Sequence, residues 1–403
     1  MQRIFLIVAS IIFVAGIGIG VYFFFFQDKA TLSVDTGNTF GTSGDTTTTT
    51  EEDDTGPLLV GAGEEVLPQL FKITDKPISS GIVALSIPPT LTASSTGVNR
   101  GDVEVRYVDR TSGNIYAYRA YERTLTRTSN RTVPGIQEVS WLPNGETALV
   151  RFLSTDSSTN TEAVETYVLP ATGEGGFFLE RGLSQVLGVG SSTLFTLKTS
   201  SFGSTGTVAN SKGEVVRTAF TSTLSSLRVF ATSKGYTAQT KASSSLDGYA
   251  FSISTTGALS RILGPHKGLS ILPNADGTLV LYSYQSEGSM RMALLNRNSG
   301  DVTALPLSTL AEKCTWSGDE KSIYCGVPQS AKGNLPDEWY QGARFFTDRI
   351  WKIDLSDRVA TLLLDPSKAE GVAIDMVSVS IDKSSDFLFF KNKQDGSLWA
   401  YDI

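Results

Sequence analysis

One short pattern recurs along this chain and limits what the chain can become. "CTWSGDEKSIYC" (314–325) reads as a strand, a tight turn and a returning strand. "VSWLPNGETALV" (139–150) matches it position for position: Trp141 aligns with Trp316, Val139 with Cys314, and Val150 with Cys325. "LSILPNADGTLVLYS" (269–283), "LRVFATSKGYTAQT" (227–240) and "VSVSIDKSSDFLFF" (377–390) repeat the plan more loosely, and "SQVLGVGSSTLFTL" (184–197) is the weakest copy. A second strand–turn–strand element follows the hairpins, as in "FSISTTGALSRIL" and "ALLNRNSGDVTAL". Gly or Asp in these turns supplies the positive φ that a tight hairpin needs. No segment of the folded part shows a sustained helical period.

The unit is therefore four strands, a to d, in roughly 42 to 48 residues, the length and content of a β-propeller blade. Hairpins starting near 138, 184, 226, 268, 312 and 375, with a further blade over 81–128, make seven. A count of six or eight follows if one repeat is divided differently. The last blade is incomplete, because "LWAYDI" ends the chain at strand c. "LPQLFKITD" (67–75) is expected to supply its missing d strand, closing the ring of a domain that spans 66–403.

Cys314 and Cys325 are the only cysteines in the 403 residues. With the turn centred on Asp319 and Glu320 they face each other across the hairpin, close enough for a cross-strand bond. The expected disulfide would contribute about 3 kcal/mol in the chain-entropy model. The alternative is a pair of buried thiols acting as small hydrophobes. Two thiols and one distant histidine, His266 in the turn-like "LGPHKG", do not make a metal site, and neither a metal nor a cofactor is expected.

The N-terminus bears on the compartment. Arg3 precedes an uncharged apolar run over 4–26, long enough for a bilayer, which needs about 20 residues. The run ends in "FFFFQDK" without a small-x-small cleavage site. Residues 1–29 therefore read as an uncleaved signal anchor, giving a single-pass protein of the cell membrane with its propeller on the extracytoplasmic side. Residues 30–65, including "TGNTFGTSGDTTTTTEEDDTGP", read as a disordered tether reaching about 35 Å. Of 34 basic and 41 acidic residues, two and nine lie in residues 1–65, which leaves 32 of each. The folded part is formally neutral, and the basic stripe of a nucleic-acid binder is not expected.

The two crisp hairpins resemble the W-S-P-D-G-x-x-L/I hairpin of TolB-type and WD-like propellers. Here Gly318 replaces the Pro and Glu320 replaces the Gly, and the His and Trp-Asp signatures of WD repeats are absent. A membrane-anchored propeller on a Thr-rich linker also resembles bacterial envelope proteins of this type. The resemblance implies an interaction platform with no reaction attached, binding an envelope protein or a cell-wall polymer.

The strongest departure from the repeat is "VPQSAKGNLPDEWYQGARFFTD" (327–348), inserted between strands b and c of blade 6. Loops that exceed the repeat length often carry function. Asp337, Trp339, Tyr340, Arg344 and Phe345 are its candidate binding residues, since Trp, Tyr and Arg are enriched at hot spots. The alternative is that these aromatics only fold the insertion onto its own blade as a plug. No catalytic residue is identified. An enzyme reading, a glycan hydrolase or lyase built on carboxylates, stays open, because propellers host such chemistry.

Overall fold

The computed structural model describes residues 68–89, 101–133, 135–155 and 160–403. The segment 4–26 and the tether lie outside the described residues. Among those described, no helix is long and apolar enough to cross a membrane.

Seven four-stranded antiparallel sheets follow one another along the chain. Blades 1 to 6 cover 83–127, 136–178, 183–222, 227–267, 270–304 and 314–364, and blade 7 joins 376–402 to Leu70–Thr74. The protein is an all-β, seven-bladed propeller. In each blade the strands pair in the order a-b-c-d, which follows from four short apolar runs joined by tight turns.

Strand a of one blade lies against strand a of the next around a central axis. Side chains pin these contacts. Ser140 Oγ donates to Val186 O at 3.0 Å, and Gln185 clasps both the N–H and the C=O of Val229 at 2.8 and 2.9 Å. The two aligned tryptophans do the same work: Trp141 Nε1 donates to Gly81 O of blade 1, and Trp316 Nε1 to Leu272 O of blade 5. The repeated Trp thus buries an apolar ring and satisfies its polar end on the preceding blade.

Each interface between neighbouring blades holds its own apolar core. Phe195, Phe220 and Tyr236 join blades 3 and 4; Leu281, Ile323 and Ile353 join 5 and 6; Val105, Phe387 and Phe389 join 7 and 1. The ring therefore has no open sheet faces. Leu70–Thr74 pairs with Leu398–Asp402, Leu70 opposite Tyr401 and Phe71 opposite Ala400, so the two ends of the domain complete one blade.

Two details of the chain differ from expectation. His266 is in strand d of blade 4, Leu259–Lys267, and not in a turn. The register shifts on both sides of Ala250, and that irregularity accommodates "GPH" within a strand, on the outer edge where Pro is tolerated. The imidazole packs beside Tyr284 with ring centres 4.7 Å apart and the rings tilted by 32°, and burial holds its pKa below the ordinary value. The insertion also carries a helical turn, Asp337–Tyr340, and another, Pro366–Ala369, follows the last strand of blade 6.

Candidate functional site

Strand direction alternates within each blade, so d–a and b–c connections share one face of the ring and a–b and c–d turns share the other. The blade 6 insertion leaves strand b at Pro328 and re-enters strand c at Asp348. It does not stay on its own blade. Met290 N donates to Ala331 O and Gly333 N to Gly288 O, at the b–c turn of blade 5. Asp337 accepts from Ser244 N at 2.6 Å and from Ser243 Oγ at 3.3 Å, in the b–c loop of blade 4. Lys393, in the b–c loop of blade 7, donates to Trp339 O and covers its ring at 4.2 Å. The insertion is a flap across blades 4 to 7.

The flap has a core of its own: Met290, Leu310, Ala331, Leu335, Trp339 and Phe346. Beneath it lies a fully buried charge cluster. Lys313 Nζ bonds both Asp375 and Asp348, the latter at 2.7 Å, and all three side chains are sealed from solvent. Trp339 Nε1 donates to Asp375 at 3.0 Å and Phe346 N donates to the same carboxylate at 3.0 Å, so this site ties the flap to blades 6 and 7. The rings of Trp339 and Phe346 each lie 5.0 Å from the ammonium. Burial pushes the Asp348 carboxyl up to about 6, against the opposing pull of Lys313. Buried behind Lys313, these carboxylates are out of reach of a substrate. Among the described residues, no group of three or more His, Cys, Asp or Glu could hold a metal.

The sequence-derived candidates separate into two groups. Trp339 faces inward, 4% exposed. Arg344 pairs with Glu338 at 2.8 Å inside the flap. Tyr340 and Phe345 face outward, 40% and 51% exposed. Tyr340 reaches over the central channel and donates its hydroxyl hydrogen to Glu312, which also accepts from Arg228 Nη1 at 2.8 Å and Ser270 Oγ at 3.3 Å. Arg228 begins blade 4 and Glu312 precedes blade 6, so this chain of bonds spans the channel mouth. Burial and the neighbouring Glu312 carboxylate hold the Tyr340 phenol far above its ordinary value. Burial works against the charge of Arg228, but Glu312 outweighs it and raises the pKa. Burial likewise raises Asp337, while its bonds to Ser244 more than offset that and leave it lowered.

Beside this bridge is a cavity of about 270 Å³ between the flap and blade 4, lined by Leu227, Arg228, Gln239, Lys241, Ala242 and Tyr340 among others. It adjoins a groove of about 410 Å³ that runs over Ser226, Lys241, Leu246 and Asp247 to Asp337. Arg228, Gln239, Lys241 and Glu312 carry no sequence signal as site residues. Arg228 and Gln239 are in strands a and b of blade 4, Lys241 follows that strand b, and Glu312 is in a short 3-10 turn before blade 6, and only the position of each blade in the ring brings them to one place. Tyr340 alone was legible, as an aromatic in an oversized loop.

The disulfide is present: Cys314 and Cys325 are directly opposed and bonded, in strands a and b of blade 6.

No family model matches the chain, and no curated protein does. Among solved structures, hydrazine synthase from Kuenenia stuttgartiensis is similar over 82% of this chain and 97% of its own, with a TM-score of 0.51 and 12% identity. The β-propeller domain of the Trilobed protease from Pyrococcus furiosus aligns over 79% of this chain and 93% of its own, with a TM-score of 0.48 and 8% identity. At that identity the likeness to the first concerns the fold alone.

Proposed function

We propose that this chain is a membrane-tethered, extracytoplasmic interaction module that captures an envelope protein or wall polymer on its b–c face. The observation that carries the reading is the flap. It has its own core, crosses four blades, and roofs the channel mouth while leaving Tyr340 and Phe345 exposed. Phe202, in the b–c turn of blade 3, and Leu246, in that of blade 4, are exposed on the same face, at 90% and 69%. Bulky apolar side chains around a charged, concave centre suit a protein interface. The disulfide supports an oxidising compartment, and the apolar run over 4–26 supports the tether. The hairpin resemblance to TolB-type propellers supports the same reading. The test is crosslinked co-purification from solubilised membranes. A stoichiometric partner retained by the native chain and lost on Tyr340→Ala with Phe345→Ala is the expected result; a chain that purifies alone under crosslinking overturns the reading.

A further inference from the structure

We propose that the cavity beside the channel mouth is a carboxylate subsite, and that it takes the C-terminal residue of an extended peptide. The proposal rests on the reading of the b–c face as the binding face and names what that face recognises.

The polar groups that converge on the cavity are almost all donors. Arg228 gives one of its amino groups to Glu312, which leaves the rest of the guanidinium fork facing the mouth. Lys241 forms no ion pair with any described residue and is exposed at the shared edge of cavity and groove. Gln239 is the more telling residue. It is only 2% exposed, and its Oε1 is fixed by the N–H of Ile271 at 2.7 Å. That bond sets the amide orientation and directs Nε2 the other way, where it meets no partner among the described residues. Gln185 makes the contrast clear, because both of its amide atoms are used on Val229. The Nε2 donor opens onto the cavity, where an acceptor on a ligand can complete it.

A guanidinium, an ammonium and a free amide N–H around one space recognise an oxyanion. The remaining lining is apolar: Leu227, Ala242 and the ring of Tyr340. An acidic sugar would bring hydroxyl hydrogens that need acceptors, and the lining carboxylates are absent from this cavity. A carboxylate attached to a short apolar side chain matches both halves of the lining. The adjoining groove then receives the preceding residues. Its walls supply Ser and Thr hydroxyls, and Asp247 and Asp337 as acceptors for peptide N–H groups. Terminal-carboxylate capture is an established mode of peptide recognition.

The test uses the full chain in detergent. Two peptide libraries, randomised over the last three residues, are offered: one with free C-terminal carboxylates and its amidated twin, with oligogalacturonate as a third probe. Selected free-acid peptides should bind, and their amides should bind about 10- to 100-fold more weakly, the size of a lost charged hydrogen bond. Gln239→Glu keeps the acceptor for Ile271 and turns the free donor into a repelling carboxylate; Lys241→Met removes only the ammonium. Each should weaken the peptides by about 10-fold or more, Lys241→Met at unchanged melting temperature and Gln239→Glu when binding is scored per folded molecule, since a carboxylate at that nearly buried position lowers stability as well. Equal binding of acids and amides, enrichment of neither library, or binding of the uronate alone overturns the proposal. If both variants keep a co-purified partner while no peptide binds, the subsite falls and the binding face stands. If neither partner nor peptide binds, both fall.

Discussion

Residue by residue, the two departures from the TolB-type hairpin turn out to be contacts between blades. Gly318 stands where the blade 2 copy has Pro143. Its N–H donates to Ser385 Oγ at 3.0 Å, and a Cβ built there would lie 1.9 Å from Lys383 O of blade 7. Proline has neither that donor nor the space. Glu320 stands where blade 2 has Gly145 and adopts φ +59°, and its carboxylate accepts from Asn274 Nδ2 and Ala275 N of blade 5. We therefore expect Gly318→Ala to cost roughly 2 kcal/mol or more in denaturant unfolding, since the clash is with backbone. An effect within about 0.5 kcal/mol, the range of an ordinary surface change, would show that blade 7 is not held at this point. The buried charges give a second prediction. Lys313→Met would leave Asp348 and Asp375 uncompensated and should cost about 3–5 kcal/mol. Asp348 has a folded pKa raised above its unfolded value, so its proton stabilises the fold below about pH 4, and that contribution is lost as pH rises through about 6. Lys313 and Asp375 face it, and the Met376 N–H donates to it at 2.7 Å; these groups set the balance. The native chain minus Asp348→Asn difference in unfolding free energy should therefore become more unfavourable to the native chain between pH 4 and 7. A difference that is flat over this range would mean that Asp348 is already ionised throughout it.

At the scale of elements, the flap decides which aromatics do what. Trp339 fills the flap core and closes the Asp375 site, so Trp339→Ala should lower stability by about 3–5 kcal/mol. Tyr340→Ala removes a half-exposed ring and one bond to Glu312 and should cost under about 1.5 kcal/mol. Thermal unfolding of the two variants side by side checks this, and equal losses would mean that Tyr340 also packs the core. The cysteine hairpin is the other element with a clear expectation. Cys314→Ala with Cys325→Ala opens a short loop and should cost about 2–4 kcal/mol. Intact mass of non-reduced, alkylated protein exported by its own N-terminus reports the bond itself, and two alkylated thiols would show that it does not form there.

For the whole molecule, ring closure depends on five residues at one end of the domain. Leu70–Thr74 completes the sheet of the last blade, and Phe71 packs at the interface of blades 7 and 1. Deleting 67–75 exposes the edge of Leu398–Asp402 and part of that core, so the melting temperature should fall sharply, whereas deleting 30–60 should leave it unchanged. Two truncations of equal stability would show that the ring does not rely on this strand. Much of this architecture was legible in the chain. The spacing of Trp141 and Trp316, the alternation within each hairpin, the opposed cysteines and the unfinished final blade are local, and local pattern is what a four-strand repeat is made of. The turn-like look of "LGPHKG" misled because its strand character comes from pairing with Asp247 and Gly248 across an irregular register, which no property of those six residues encodes. The mouth is a stronger case of the same limit. Arg228, Gln239 and Glu312 come from different blades or strands, more than ten to over eighty residues apart, and no local motif links them. The chain by itself determined the four-strand repeat and the place of the insertion, because each depends on short-range periodicity, while seven blades against six or eight was decided by the strand pairing of the folded ring. Only the closed ring decided that the insertion would reach blade 4 and bring Tyr340 to Arg228, because that contact depends on how seven blades are placed about one axis.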